Sequence, residues 1–193
     1  MDTGLVVKDD MFTAAECAGI LSKCQFSAVH TNKFGRTYTN SENRTDECAV
    51  LDFDSDDIRR HFIGLLREML PDTIAFNPRV RVARLGPGAF IRRHQDSQMR
   101  DYTYTVLVYL QAPESGGETR FFGSPRAVTE VAPVVGRMVV FPRDLDHESV
   151  EVTAGVKCSM RTDVAVRRAD YRPDPDFPWH DDWREEHGEN VED

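Results

Sequence analysis

Arg79-Val-Arg-Val-Ala-Arg-Leu-Gly-Pro-Gly-Ala-Phe-Ile-Arg-Arg-His-Gln-Asp96 is the stretch on which the reading of the fold turns. Charged and apolar residues alternate from Arg79 to Leu85, the period of a strand with one buried face. Gly86-Pro-Gly88 then breaks the run with a turn. Further strand candidates are Thr103–Leu110, Glu118–Phe122, Ala127–Val131, Arg137–Phe141 and Cys158–Val166, separated by turn residues. No helical stretch lies between them. Strands that follow one another without crossover helices pair antiparallel, so this half of the chain predicts an antiparallel sandwich or barrel, most simply a two-sheet jelly roll.

Upstream the period changes to that of a helix. Thr13-Ala-Ala-Glu16 has the capping-box pattern, and Ala14, Cys17, Ile20, Leu21 and Cys24 recur at helical spacing, which predicts a helix over 14–24. A second helix is expected from about Ser55, with Ile58, Phe62, Leu65, Leu66 and Met69 as its apolar stripe and Pro71 as its stop. Residues 28–50 between the two helices are polar with scattered aromatics and read as a connecting loop with room for short strands. The fold class is therefore mainly β with flanking N-terminal helices (α+β). One domain is expected over 1–172, with a helical front at 1–75 and a jelly-roll core at 76–168.

The chain has 193 residues and a net charge of −9, and the charge is uneven. Residues 173–193 hold nine acidic residues and one arginine, so the rest of the chain is almost neutral. Such a tail, with Pro173, Pro175 and Pro178, buries too little apolar surface to order itself fully, although Phe177, Trp179 and Trp183 could dock locally. A near-neutral body lacks the broad basic face of a nucleic-acid binder. No apolar run is long enough to span a membrane, and Met1-Asp-Thr-Gly-Leu-Val-Val-Lys8 lacks the pattern of a secretory leader. The expectation is a cytoplasmic protein, with Cys17, Cys24, Cys48 and Cys158 as reduced thiols.

The chemistry gathers at His94-Gln-Asp96. Residues i and i+2 of a strand share a face, so both side chains can reach one metal ion. His147, after the apolar strand Met138-Val-Val-Phe141, is the candidate third ligand. Two histidines and one carboxylate leave three coordination positions open, the ligand set of non-haem Fe(II) oxygenases. Lys157 follows after the turn at Gly155 and can place a cation near the metal. A dicarboxylate that chelates iron by its 2-oxo acid end needs such a cation at its far end. Arg161, four residues further along the strand, faces the same way, either lining the pocket or pairing with Glu148 or Asp163.

Several ordered motifs extend this reading. They are Asp10-Met-Phe-Thr-Ala-Ala-Glu-Cys17, the stretch from Arg84 to Asp96, Thr105-Val-Leu-Val-Tyr-Leu110, Gly116-Gly-Glu-Thr-Arg-Phe121, Val131 through Gly136 to Phe141, and His147-Glu through Gly155-Val-Lys157 to Arg161-Thr-Asp-Val164. In this order they resemble the prolyl 4-hydroxylase-like group of Fe(II)/2-oxoglutarate dioxygenases, from about residue 5 to 168. The resemblance implies His94, Asp96 and His147 as iron ligands and Lys157 on the distal carboxylate of 2-oxoglutarate. Tyr109 and Thr105 are placed with the same co-substrate group, and Arg161 is a further pocket candidate. It implies a double-stranded β-helix (jelly roll) fold, and Fe(II) and 2-oxoglutarate as cofactors, with ascorbate as a candidate accessory reductant. The expected reaction is hydroxylation of an aliphatic C–H, of a prolyl residue or a small molecule, with release of succinate and CO2. A nucleic-acid demethylase of the same superfamily and a non-catalytic metal-binding jelly roll are the alternatives. Leu85 stands where the group usually has Tyr, and Gln111 where it has Asn.

Overall fold

The computed structural model describes residues 4–31, 37–39, 43–53, 55–96, 103–123 and 127–166. The acidic segment 173–193 and the docking expected of its aromatics lie outside the described residues. The architecture is two facing antiparallel sheets with two helices against the larger one, the expected double-stranded β-helix.

The larger sheet is built from β1 (Val6–Lys8), β4 (Glu47–Asp52), β5 (Thr73–Phe76), β6 (Arg79–Leu85), β8 (Tyr104–Gln111), β12 (Met138–Pro142) and β15 (Lys157–Val166). Its order is β1-β12-β8-β15-β6-β4, with β5 also on β15. Strand β15 is long enough to pair with β6 through Lys157 to Arg161 and then with β5 from Val164 onward. The smaller sheet has the order β11-β10-β13-β7, from β7 (Ile91–His94), β10 (Thr119–Phe122), β11 (Val128–Val131) and β13 (Asp146–Ser149). Two short pairs complete the set: β2 (Val29–Thr31) with β3 (Thr37–Thr39), and β9 (Ser115–Gly116) with β14 (Val152–Ala154).

The helices are α1 (Ala14–Leu21) and α2 (Asp56–Met69). Thr13 caps α1 as expected: its hydroxyl accepts from the Glu16 amide, and the Glu16 carboxylate accepts from the Thr13 amide. The helix ends three residues before the expected Cys24. Both helices press one face of the large sheet. Phe62 and Leu66 are buried there with Val80, Val82, Val106, Val108, Met138, Val140, Met160 and Val164. The alternate residues of the same strands face the smaller sheet, where Tyr109, Val139 and Phe141 meet Phe121 and Val131.

The N-terminal part is less purely helical than its sequence suggests. Strands β1, β4 and β5 come from it and extend the large sheet on both sides. Strand β4 reads Glu-Cys-Ala-Val-Leu-Asp, without the alternation that marks β6, and only its pairing with Arg79–Arg84 makes it a strand. All four cysteines are free. No helix among the described residues is long and apolar enough to cross a membrane. The turn before β15 needs Gly155: its φ is +77°, and a Cβ there would lie 2.7 Å from the Glu114 amide nitrogen.

Candidate metal and co-substrate site

His94 ends β7 and sits directly opposite His147 in the β7–β13 pair. Antiparallel register alone therefore puts the two imidazoles side by side, with ring centroids 4.4 Å apart. Asp96 lies two residues past the strand end, where its amide donates to the Arg143 carbonyl at 3.2 Å. That anchor turns its carboxylate back toward the histidines. One ligand atom from each of the three residues falls within 4.8 Å of the others.

The orientation of each group suits a cation. His94 Nδ1 donates to the Arg92 carbonyl at 2.8 Å, and His147 Nδ1 donates to the Leu145 carbonyl at 3.0 Å. A carbonyl only accepts, so the proton is on Nδ1 and the Nε2 lone pairs face Asp96, at 4.0 and 3.9 Å. Burial lowers the His147 pKa and favours the neutral, ligating form. Phe141 and Phe121 hold that ring, with centroids 4.8 and 6.0 Å away. Burial opposes ionisation of Asp96, but the Arg161 guanidinium, the imidazoles and the Thr105 hydroxyl outweigh it and hold the carboxyl below its ordinary range. Thr105 Oγ1 donates to Asp96 Oδ2 at 2.6 Å, and Arg161 Nη2 lies 3.0 Å from Oδ1.

Lys157 begins β15 and is 1% exposed. Its Nζ donates to Ser149 Oγ at 2.6 Å and to Thr119 Oγ1 at 3.3 Å, and lies 5.4 Å from the Tyr109 ring centroid. Among the described residues no carboxylate forms an ion pair with it. Burial pushes its pKa down to about 7, against an upward pull from Glu118. Tyr109 is fully buried, and its hydroxyl donates to Thr119 Oγ1 at 2.7 Å. Burial pushes that phenol well above its ordinary value, so it stays a neutral donor. A cavity of about 190 Å³ joins the parts, lined by His94, Asp96, His147, Lys157, Thr119 and Arg161 among others.

The seven residues singled out from the sequence thus divide by contact. His94, Asp96 and His147 converge. Thr105 and Arg161 touch Asp96, and Arg161 also reaches Asp163 at 3.0 Å. Glu148 instead lies 3.5 Å from Arg120. Tyr109 meets Lys157 through Thr119. Sequence reasoning passed over Thr119 and Ser149. Both were within its reach: Thr119 stands inside the Gly116–Phe121 motif, and Ser149 lies two residues after His147 on the same strand face.

The sequence model of the 2OG-Fe(II) oxygenase superfamily matches residues 80–162, which contain all seven of these residues. The chain is similar to this superfamily over that stretch. It is a 2-oxoglutarate-dependent oxygenase, and Fe(II) and 2-oxoglutarate are its cofactors. Among curated proteins none matches its sequence. Solved structures share the fold. A prolyl-4-hydroxylase from Pseudomonas putida aligns with a TM-score of 0.62 at 19% identity, over 86% of this chain and 94% of that one. The collagen prolyl hydroxylase of Paramecium bursaria Chlorella virus-1, in complex with 2-oxoglutarate, aligns at 0.63 and 22%, over 84% and 96%. A prolyl hydroxylase from Trichoplax adhaerens, bound to a peptide fragment of hypoxia-inducible factor, aligns at 0.65 and 16%, over 85% and 84%.

Proposed function

We propose that this oxygenase is a hydroxylase of aliphatic C–H bonds in which His94, Asp96 and His147 hold Fe(II) and Lys157 receives the distal carboxylate of 2-oxoglutarate. The observation that carries this reading is the state of Lys157. A buried ammonium among hydroxyls and one aromatic ring, on the same cavity as two Nε2 lone pairs and a carboxylate, calls for an anion. When bound, the metal supplies dioxygen activation coupled to decarboxylation of 2-oxoglutarate to succinate and CO2.

The remaining work falls to the chain. The Arg92 and Leu145 carbonyls fix the two imidazoles. Thr105 holds one oxygen of Asp96 and Arg161 the other, which fixes the carboxylate beside the two imidazoles, where it would hold a metal with them. Thr119 and Ser149 orient Nζ, and Tyr109 holds Thr119. The substrate is read as a prolyl peptide or a small molecule with an equivalent C–H; the peptide fragment held by the Trichoplax hydroxylase supports the first. The functional domain is read as residues 1–172, with 173–193 as an acidic appendage.

The test is anaerobic addition of Fe(II) and 2-oxoglutarate. The expected result is a visible metal-to-ligand charge-transfer band, followed by succinate release on admitting air, with ascorbate tried as reductant. His94→Ala and His147→Ala should lose both signals while keeping the circular dichroism of the fold. Full succinate release by either variant refutes the ligand assignment.

A further inference from the structure

Asp96 is tied to an acidic residue that does not itself line the cavity. Arg161 and Asp163 lie two apart on β15, and their neighbours Met160 and Val164 face the helices, so both side chains leave the sheet on its other face. Asp163 is the register partner of Thr105, whose hydroxyl donates to Asp96 Oδ2. It is 8% exposed and stands behind Arg161, outside the cavity that Arg161 lines.

Two routes join Asp163 to Asp96. The first runs through a side chain: Arg161 Nη2 donates to Asp163 Oδ1 at 3.0 Å and lies 3.0 Å from Asp96 Oδ1. The second runs through Arg143. Its Nη1 lies 3.5 Å from the same Asp163 oxygen, and its carbonyl accepts from the Asp96 amide at 3.2 Å. Arg161 thus meets both carboxylates with the same nitrogen. Its Nε is buried and finds no hydrogen-bond partner among the described residues. A guanidinium beside a single carboxylate closes on it with two parallel N–H donors, and a buried donor without a partner adds to that pull. Asp163 draws Nη2 to one side, and the fork on Asp96 stays open.

We propose that Asp163 is a positioning residue for the metal site: it divides Arg161 between two carboxylates and so leaves Asp96 available to a divalent cation. The inference rests on the metal reading above and deepens it. Without Asp163, Arg161 would bring both Nε and Nη2 to Asp96, and a metal would have to displace a two-point ion pair. Asp163 reaches neither the metal position nor the co-substrate cavity, so it acts only through Arg161 and Arg143.

The experiment is titration of the full chain with Mn(II) in the absence of 2-oxoglutarate, followed by the free-ion electron paramagnetic resonance signal. Asp163→Asn should bind Mn(II) about 10- to 100-fold more weakly than the wild type. At saturating metal its KM for 2-oxoglutarate should be unchanged, because the contacts of Lys157 are intact. Two double variants separate positioning from other roles. Asp163→Asn with Arg161→Lys keeps the cation but cannot form the planar fork, and Asp163→Asn with Arg161→Gln removes the cation. Both should recover most of the lost Mn(II) affinity.

Wild-type affinity in Asp163→Asn overturns the inference. Recovery with Gln alone overturns it too, since charge and not the fork is then the cause. Recovery with neither assigns Asp163 to support of the fold. Should Asp163→Asn fail to fold by circular dichroism, Asp163→Glu takes its place: it keeps the charge, displaces the carboxylate by one methylene, and should bind Mn(II) more weakly until Arg161→Lys is added. Unweakened binding in that variant overturns the inference. A wild type that binds no Mn(II) removes the underlying metal reading instead.

Discussion

The two faces of the seven-stranded sheet are made by the same strands and differ in almost everything else. On the helix side, β6, β8, β12 and β15 contribute Val80, Val82, Val106, Val108, Met138, Val140, Met160 and Val164. On the cavity side three of them contribute Arg81, Leu107, Lys157, Ser159 and Arg161. A shift of one residue separates the two sets, because successive side chains leave a strand on opposite faces. Burial on the helix side is apolar and stabilises the fold at roughly 25 cal/mol per Å². Burial on the cavity side desolvates a lysine, a carboxylate and several hydroxyls, which costs stability and stores binding capacity. One sheet thus keeps its stability and its chemistry on separate faces, and register is the only thing that keeps them apart.

The comparison breaks most clearly at Phe62. Its ring is 1% exposed and contacts Phe12, Phe53 and Phe76 at centroid distances of 6.0, 5.9 and 4.8 Å. Phe62→Ala should cost ~3–5 kcal/mol of unfolding free energy in urea titration. The fraction still folded should bind 2-oxoglutarate with unchanged affinity, because no part of Phe62 reaches the cavity. A parallel loss of affinity would show that the two faces are coupled.

Lys157→Ala tests the opposite face. If Lys157 receives the distal carboxylate of 2-oxoglutarate as proposed, removing the ammonium should weaken co-substrate binding by ~2–5 kcal/mol with iron content unchanged. An unaltered apparent constant would shift the role to Arg161.

Lys157→Met sharpens the contrast, because it should stabilise the protein while it disables co-substrate binding. With its pKa pushed down to about 7, Lys157 is charged in the folded free protein only below that value. An unfolded lysine holds its proton up to about 10.4, so folding releases a proton between those limits. The penalty is full below pH 7 and fades as pH rises toward 10. Lys157→Met should therefore raise the stability of the co-substrate-free protein by ~1–3 kcal/mol near pH 6 and by less near pH 9. On the proposed role of Lys157, 2-oxoglutarate affinity of the wild type should weaken above pH 7, approaching about tenfold per unit, as the ammonium is lost on the free protein. Calorimetric melts and titrations at two pH values check both statements.

The smallest effect is expected beyond the sheet altogether. A chain ended at Arg172 should keep its melting temperature within about 2 °C, since the acidic segment has almost no aliphatic pattern to bury. A larger drop in differential scanning calorimetry would assign Phe177, Trp179 and Trp183 to the domain.

The separation of faces was legible where a strand is long and alternates. Arg79–Leu85 announces β6 to the residue, and Tyr104–Gln111 and Lys157–Val166 lie within one residue of their sequence limits at either end. Val6–Lys8, Glu47–Asp52 and Ile91–His94 were not legible, because none of them alternates apolar with polar residues. They are strands because distant partners hold them.

The convergence of His94, Asp96 and His147 was readable for a different reason. Iron chemistry demands particular residue types, so His94, Asp96 and His147 stand out by composition and spacing in a chain with six histidines. The partners of those groups came only with the tertiary structure. Thr105 on Asp96, Thr119 and Ser149 on Lys157, and Arg161 between Asp96 and Asp163 are ordinary residues whose meaning is positional. Sequence by itself determined which elements alternate, where the first helix is capped and which side chains can bind a metal, because those properties are local. Cross-strand register among β6, β7, β8, β10, β13 and β15 decided which hydroxyl or guanidinium meets which ligand, because that pairing joins residues up to 80 positions apart, as between Arg161 and Arg81.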